Sequence, residues 1–124
     1  VNITSSSVKA PIDVLGLSNG ARSGLHGFVA GVSRTTVRQG VTINNILPGP
    51  FDTDRLRGTF TYRAQKSGDS EANIAAAAAA SNPSGRFGQA DEFGKACAFL
   101  CSAHTGYITG QNLLLDGGAF PGSY

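Results

Sequence analysis

The sequence predicts an α/β fold, in which three parallel strands lie side by side with helices on their faces as half of a doubly wound sheet. Two observations predict it. Short strand-like runs at residues 1–4, 41–47 and 111–115 alternate with longer stretches of helical periodicity. Strands separated by helices join in parallel through right-handed crossovers. The middle run (Val41, Ile43, Ile46, Leu47) also stops on Pro48-Gly49, and Asp52-Thr53-Asp54 follow directly. A buried parallel strand reads as a near-continuous apolar run, and Pro-Gly ends it because proline cannot donate to the ladder. Ligands bind beyond the carboxyl ends of such strands. The segment GVTINNILPGPFDTDRL (residues 40–56) therefore marks the wall of a site.

The elements follow in order. Residues 1–4 are a strand tail with Ser5-Ser6-Ser7 just past it, and 9–16 form a loop holding Pro11 and Gly16. From about 17 to 38, Leu17, Ala21, Leu25, Phe28, Val29, Val32 and Thr36 recur at three and four, which predicts a long helix. Gly20, Gly24, Gly27 and Gly31 each cost roughly 1 kcal/mol there against alanine, a cost that close packing against another helix or backbone would offset. Gly40 ends the helix and 41–47 is the second strand. Residues 51–88 are the least regular region, with a helix expected over 55–66, an exposed turn at 67–70 and an alanine-rich helix at 74–80, to which no function is assigned. Pro83-Ser84-Gly85 breaks that run. A further helix over 91–103 turns Phe93, Ala96, Cys97, Phe99, Leu100 and Cys101 inward, with Asp91-Glu92 in its first turn, where the helix dipole favours acids. Residues 106–110 turn into the last strand, 111–115, which would be a sheet edge.

Composition excludes several function classes. A chain of 124 residues has room for one small domain with a modest core. The formal net charge of +2 comes from scattered basic residues, so no nucleic-acid partner is expected. The alanine run is too short and too weakly hydrophobic to span a bilayer, and no segment has the regions of a signal peptide. Cys97 and Cys101, four apart in a helical pattern, fit neither a redox pair nor a zinc set and are expected to be reduced core thiols. His26 and His104 have no partner pattern and are expected at the surface or at helix ends. The expectation is a soluble, cytoplasmic protein. The chain opens on Val1 inside a strand tail, so residues 1–124 are expected to be the C-terminal half of a single domain whose N-terminal half is absent.

Five pieces stand in one order: VNITS, the long helix, GVTINNILPGPFDT with its Asn-x-x-x-Pro-Gly-x-x-x-Thr spacing, GRFGQADEF, and YITGQNLLLDGG. In that order they resemble the C-terminal half of a short-chain dehydrogenase/reductase of the 3-oxoacyl reductase-like kind. The resemblance runs from Val1 to about Gly118 and implies the last three parallel strands of a Rossmann-like doubly wound sheet. It also implies NAD or NADP as cofactor, bound only together with the N-terminal half that carries the glycine-rich turn. The pattern Gly16-x-x-x-Gly20-x-x-x-Gly24 lies within or beside a helix and is no phosphate loop.

The resemblance assigns site residues. Ser5 falls at the family's serine, which hydrogen-bonds the substrate oxygen; read from the residues alone, the three serines cap a strand end. The family's tyrosine and lysine, four apart on the long helix, fall at Ser18 and Arg22. Serine is a marked departure, because the tyrosine hydroxyl moves the proton and the lysine ammonium lowers its pKa. Tyr62, Tyr107 and Tyr124 lie elsewhere in the sequence. Arg22 keeps a permanent charge suited to ribose hydroxyls or an anionic substrate, or is simply a solvated helix-start residue. Pro48, Gly49, Phe51 and Thr53 fall at the nicotinamide-amide and pyrophosphate contacts, and Asn44 at a structural strand position.

Two functions stand against each other. One is part of an NAD(P)-dependent oxidoreductase interconverting a small-molecule carbonyl and its alcohol, with residues 54–88 as the substrate lid. The other is a catalytically silent relative that keeps the fold for binding or as a scaffold. Family members pair their long helices across one twofold axis and the final helix and strand across another, which implies a homotetramer, or else a dimer.

Overall fold

The computed structural model describes residues 1–123. Its strands are β1 (Asn2–Ile3), β2 (Asn45–Pro48) and β3 (Asn112–Leu115), and its helices are α1 (Gly16–Thr36), α2 (Asp54–Ser67), α3 (Glu71–Ala80) and α4 (Ala90–Leu100). Short 3-10 turns cover Ser6–Val8, Asp13–Leu15, Val37–Gln39 and Ala103–Thr105. The sheet is parallel throughout in the order β1-β2-β3, so the α/β arrangement is as the sequence predicts. β3 is an edge of this sheet, as expected, with β1 on the other side of β2. Ile46 and Leu47 of the central strand are completely buried, as a strand paired on both sides should be.

β2 is shorter than the expected 41–47. The Ile43 N–H is taken by the Thr109 hydroxyl at 3.1 Å, and the buried Asn44 side chain donates to the Ile108 carbonyl and accepts from the Gln111 N–H. These bonds hold the 106–110 turn against residues 43–44, so regular pairing begins only at Asn45. Asn44 is structural, as expected. Asn2, Asn45 and Asn112 stand in register across the three strands and link side chain to side chain, at 3.0 and 2.7 Å.

Helix α1 runs close to its expected span and its 3-10 extension stops at Gly40, whose φ of 75° is left-handed backbone suited to glycine. The sheet-facing stripe differs from expectation. The buried residues are His26, Val29 and Ser33, while Leu17, Leu25 and Phe28 are exposed. His26 is therefore not a surface residue: its Nε2 lies 2.8 Å from the Thr4 hydroxyl. A sheet face carrying an asparagine ladder accepts a polar helix stripe, and the apolar stripe one residue away is left bare. Cβ atoms added at Gly20, Gly24, Gly27 and Gly31 would meet nothing within 4 Å, so these glycines serve no close packing among the described residues.

Residues 54–88 are more regular than expected, because α2 and α3 form a helical hairpin. Thr53 and Ser70 cap the two helices by accepting from the N–H groups of Leu56 and Asn73, and Gly68, at φ 77°, closes the first. Phe60 and Ile74 are their buried residues. α4 ends at Leu100, three residues before the expected 103, since Ser102 starts a new 3-10 turn. It buries only a narrow stripe: Leu100 is buried, Cys97 half-buried, and Phe99 and Cys101 exposed. Both cysteines are free, but Cys101 is not a core thiol.

Candidate functional site

A cleft of about 630 Å³ opens beyond the carboxyl ends of β1 and β2. Ser5, Ser18, Arg22, Pro48, Gly49, Phe51 and Thr53 all line it. Thr4, Ile12, Leu15, Arg55, Leu56 and Phe93 line it too, and the sequence singled out none of them for the site.

Each wall has a local cause. At the end of β1 the Ser5 Oγ accepts from the Ser7 N–H at 3.1 Å and caps the 3-10 turn. That bond uses one lone pair, so the hydroxyl proton remains available to the cleft. Thr4, just before it, is buried and held by His26 and by a longer 3.4 Å contact to the Ile46 carbonyl. Burial lowers the His26 pKa from its ordinary value, and its Nδ1 is buried without a hydrogen-bond partner among the described residues.

Ser18 and Arg22 sit one helical turn apart in α1, on the stripe that continues to His26. Arg22 Nη1 donates to the Ser18 carbonyl oxygen at 3.4 Å. Tyr62 and Tyr107 are exposed and line no part of the cleft, and Tyr124 lies outside the described residues.

The segment after β2 is fixed from two sides. A Cβ at Gly49 would fall 2.7 Å from Asp116 Cβ, so only glycine lets the two strand ends approach. Asp52 N–H donates to the Gly88 carbonyl and Gly88 N–H to the Pro50 carbonyl, which ties the segment to the approach of α4. The Phe51 ring stands on Phe93 in an edge-to-face pair, 5.4 Å between centroids. Thr53 accepts from the Leu56 N–H and keeps its hydroxyl proton free to donate.

Arg57 draws away the acids of this segment. Its Nε meets Asp52 at 2.9 Å and its Nη1 lies 3.9 Å from Asp54. The hydrogen bond from Arg57 holds the Asp52 carboxyl below its ordinary range. Among the described residues no Asp or Glu lines the cleft, and no group of His, Cys, Asp or Glu could hold a metal ion.

The cleft therefore offers hydroxyl donors and guanidinium charge, which suit one side of an amide- and phosphate-bearing nucleotide. The glycines at 16, 20 and 24 lie within α1, so they form no phosphate loop. No helix of the described residues is long and apolar enough to cross a membrane.

The family model described as enoyl-(acyl carrier protein) reductase matches residues 1–119. The 3-oxoacyl-(acyl-carrier-protein) reductase of Salmonella typhimurium is 36% identical over 120 residues, covering 95% of this chain and 45% of that protein. The Escherichia coli enzyme of the same name is 37% identical over 100 residues, 81% of this chain and 36% of its own. Among solved structures, YwfH, an NADPH-dependent reductase involved in bacilysin biosynthesis, superposes with a TM-score of 0.89 at 26% identity. That match covers 98% of this chain and 46% of YwfH. The chain thus spans less than half the length of these relatives.

Proposed function

Because the chain belongs to the short-chain dehydrogenase/reductase family, we propose that it supplies the substrate side of an NAD(P)-dependent oxidoreductase that interconverts a small carbonyl compound and its alcohol. The observation that supports this reading is the convergence of Ser5, Ser18, Arg22, Pro48, Gly49, Phe51 and Thr53, from three separate segments, on one cleft at the strand ends.

When bound, the nicotinamide supplies the hydride. Backbone groups at 49–51 would read its carboxamide, the Thr53 hydroxyl would donate to an amide or phosphate oxygen, and Arg22 would hold either ribose hydroxyls or an anionic substrate. The Ser5 hydroxyl would donate to the substrate oxygen. The helical hairpin of α2 and α3 would act as the substrate lid.

Ser18 stands where the family pattern has its proton-relaying tyrosine. A serine hydroxyl is less acidic and its side chain shorter, while proton transfer by a positioned group contributes about 10²–10⁴-fold. A serine at this position favours a second reading: a catalytically silent relative that uses the same cleft for binding.

Ser18→Tyr separates the two. In the chain combined with the cofactor-binding half of a 3-oxoacyl reductase, we expect the substitution to raise NADPH-dependent reduction of a simple ketone by about 10²-fold or more. Unchanged turnover in a variant shown to fold and to bind NADPH would contradict the assignment of Ser18 and Arg22.

A further inference from the structure

Arg22 and Arg55 enter the cleft from different elements, Arg22 from the second turn of α1 and Arg55 from the first turn of α2. Neither is paired with a carboxylate among the described residues. The neighbouring sequence would ordinarily neutralise Arg55, since Asp52 and Asp54 flank it closely. Asp52 is instead hydrogen-bonded by Arg57 at 2.9 Å, and the exposed Asp54 carboxylate lies 3.9 Å from the same guanidinium. The remaining polar side chains lining the cleft are hydroxyls, and its apolar lining includes Ile12, Leu15, Leu56 and Phe93. A cavity with two uncompensated guanidiniums, hydroxyl donors and no acid is complementary to an anion on a short apolar body.

We propose that this cleft selects a small carbonyl substrate bearing a carboxylate, held between Arg22 and Arg55. The proposal rests on reading the cleft as the substrate site of an oxidoreductase. Arg55 is then the specificity residue: it meets the carboxylate, while the Ser5 hydroxyl faces the carbonyl oxygen. The same anionic chemistry could come from a cofactor pyrophosphate, so the test must separate the two sources.

The test is a titration of the ¹⁵N-labelled chain followed by amide chemical shifts, with acetoacetate, its methyl ester and inorganic pyrophosphate as probes. We expect acetoacetate to shift amides around residues 49–55 and to bind at least about tenfold tighter than the ester, a preference that weakens as salt is raised. Arg55→Gln should abolish the preference. Arg63→Gln, on the exposed part of α2 outside the cleft, should keep it, and circular dichroism would establish that both variants fold. Equal binding of acid and ester, no binding of either, or retention of the preference in Arg55→Gln would overturn the proposal. So would pyrophosphate that binds through both arginines and is not displaced by acetoacetate. None of these outcomes bears on nicotinamide binding, which a titration with NADPH reads separately.

Discussion

Ser5 is positioned by its neighbour Thr4, whose hydroxyl meets the buried His26 at 2.8 Å. His26→Ala removes that partner and leaves the Thr4 hydroxyl only its 3.4 Å contact to the Ile46 carbonyl. Loss of a buried partner costs about 1–3 kcal/mol, a decrease that urea denaturation should detect. His26 also makes stability depend on pH. Its pKa in the folded chain lies below the ordinary 6.5 because burial disfavours the charged ring. Above about pH 6.5 both states are neutral and its contribution is complete. As pH falls, the unfolded state takes up the proton first, so stability is lost until the folded value is passed. His26→Gln should flatten this part of the pH profile; an unchanged slope would show that His26 is not the group responsible. This residue was illegible in the sequence. Its stripe (Ser18, Arg22, His26, Val29, Ser33) is polar except for Val29 and lies one residue from an apolar stripe that reads as the core face. Only the asparagine ladder across the sheet explains the choice, and strand register is not visible in a single chain. Ser5, Ser18, Arg22, Pro48, Gly49, Phe51 and Thr53 were singled out through the family resemblance, because spacing alone marks only a strand end and a helix start. The fold brings them along one cleft.

At the scale of elements, the entry to α4 is held by one carboxylate. Glu92 accepts from the Gln89 N–H at 2.8 Å and from both Nη groups of Arg86, at 2.8 and 2.6 Å. The Arg86 hydrogen bonds, then the Gln89 N–H, lower the Glu92 pKa to about 2 from an ordinary 4.5. Its contribution is present above about pH 4.5 and is lost as pH falls toward 2. Thermal unfolding across this window should show a component that Glu92→Gln lacks; identical acid profiles would mean that the ion pair contributes nothing measurable, as many exposed pairs do. The acids in the first turn of this helix were readable in advance, whereas the Arg86 clasp depends on how the preceding loop folds back. The hairpin of α2 and α3 was half legible. An alanine run has the best helix propensity but no periodicity, so nothing in it indicates which face meets α2.

At the scale of the whole molecule, apolar surface remains uncovered. Leu17 is 95% and Phe28 67% exposed on α1, beside the glycines at 20, 24, 27 and 31, and β3 is an open sheet edge. Exposed edges and contiguous apolar surface mark interaction sites. We expect the chain joined to its N-terminal half to assemble as a homotetramer, or else a dimer, and light scattering on that complete protein at micromolar concentration reads this directly. A leucine at Gly24 or Gly31 meets no atom of the same chain near its Cβ, so either substitution should leave the fold intact and break the assembly. A monodisperse monomer, or an oligomer that survives both changes, would contradict helix pairing through this stripe. The order of the three strands with α1 and α4 was legible, because apolar runs and their terminators are local signals. What the bare face meets was not, since it depends on surfaces outside the described residues.

The measurement that bears most directly on the cleft is a fluorescence titration with NADPH. The chain carries the wall beyond β1 and β2 but no phosphate-binding glycine turn. Alone it should bind NADPH no tighter than about 100 µM, roughly 5.5 kcal/mol, and addition of the cofactor-binding half of a relative should restore binding. Tight binding by the chain alone, or none after the complementary half is added, would contradict a cofactor site divided between the two halves of the sheet.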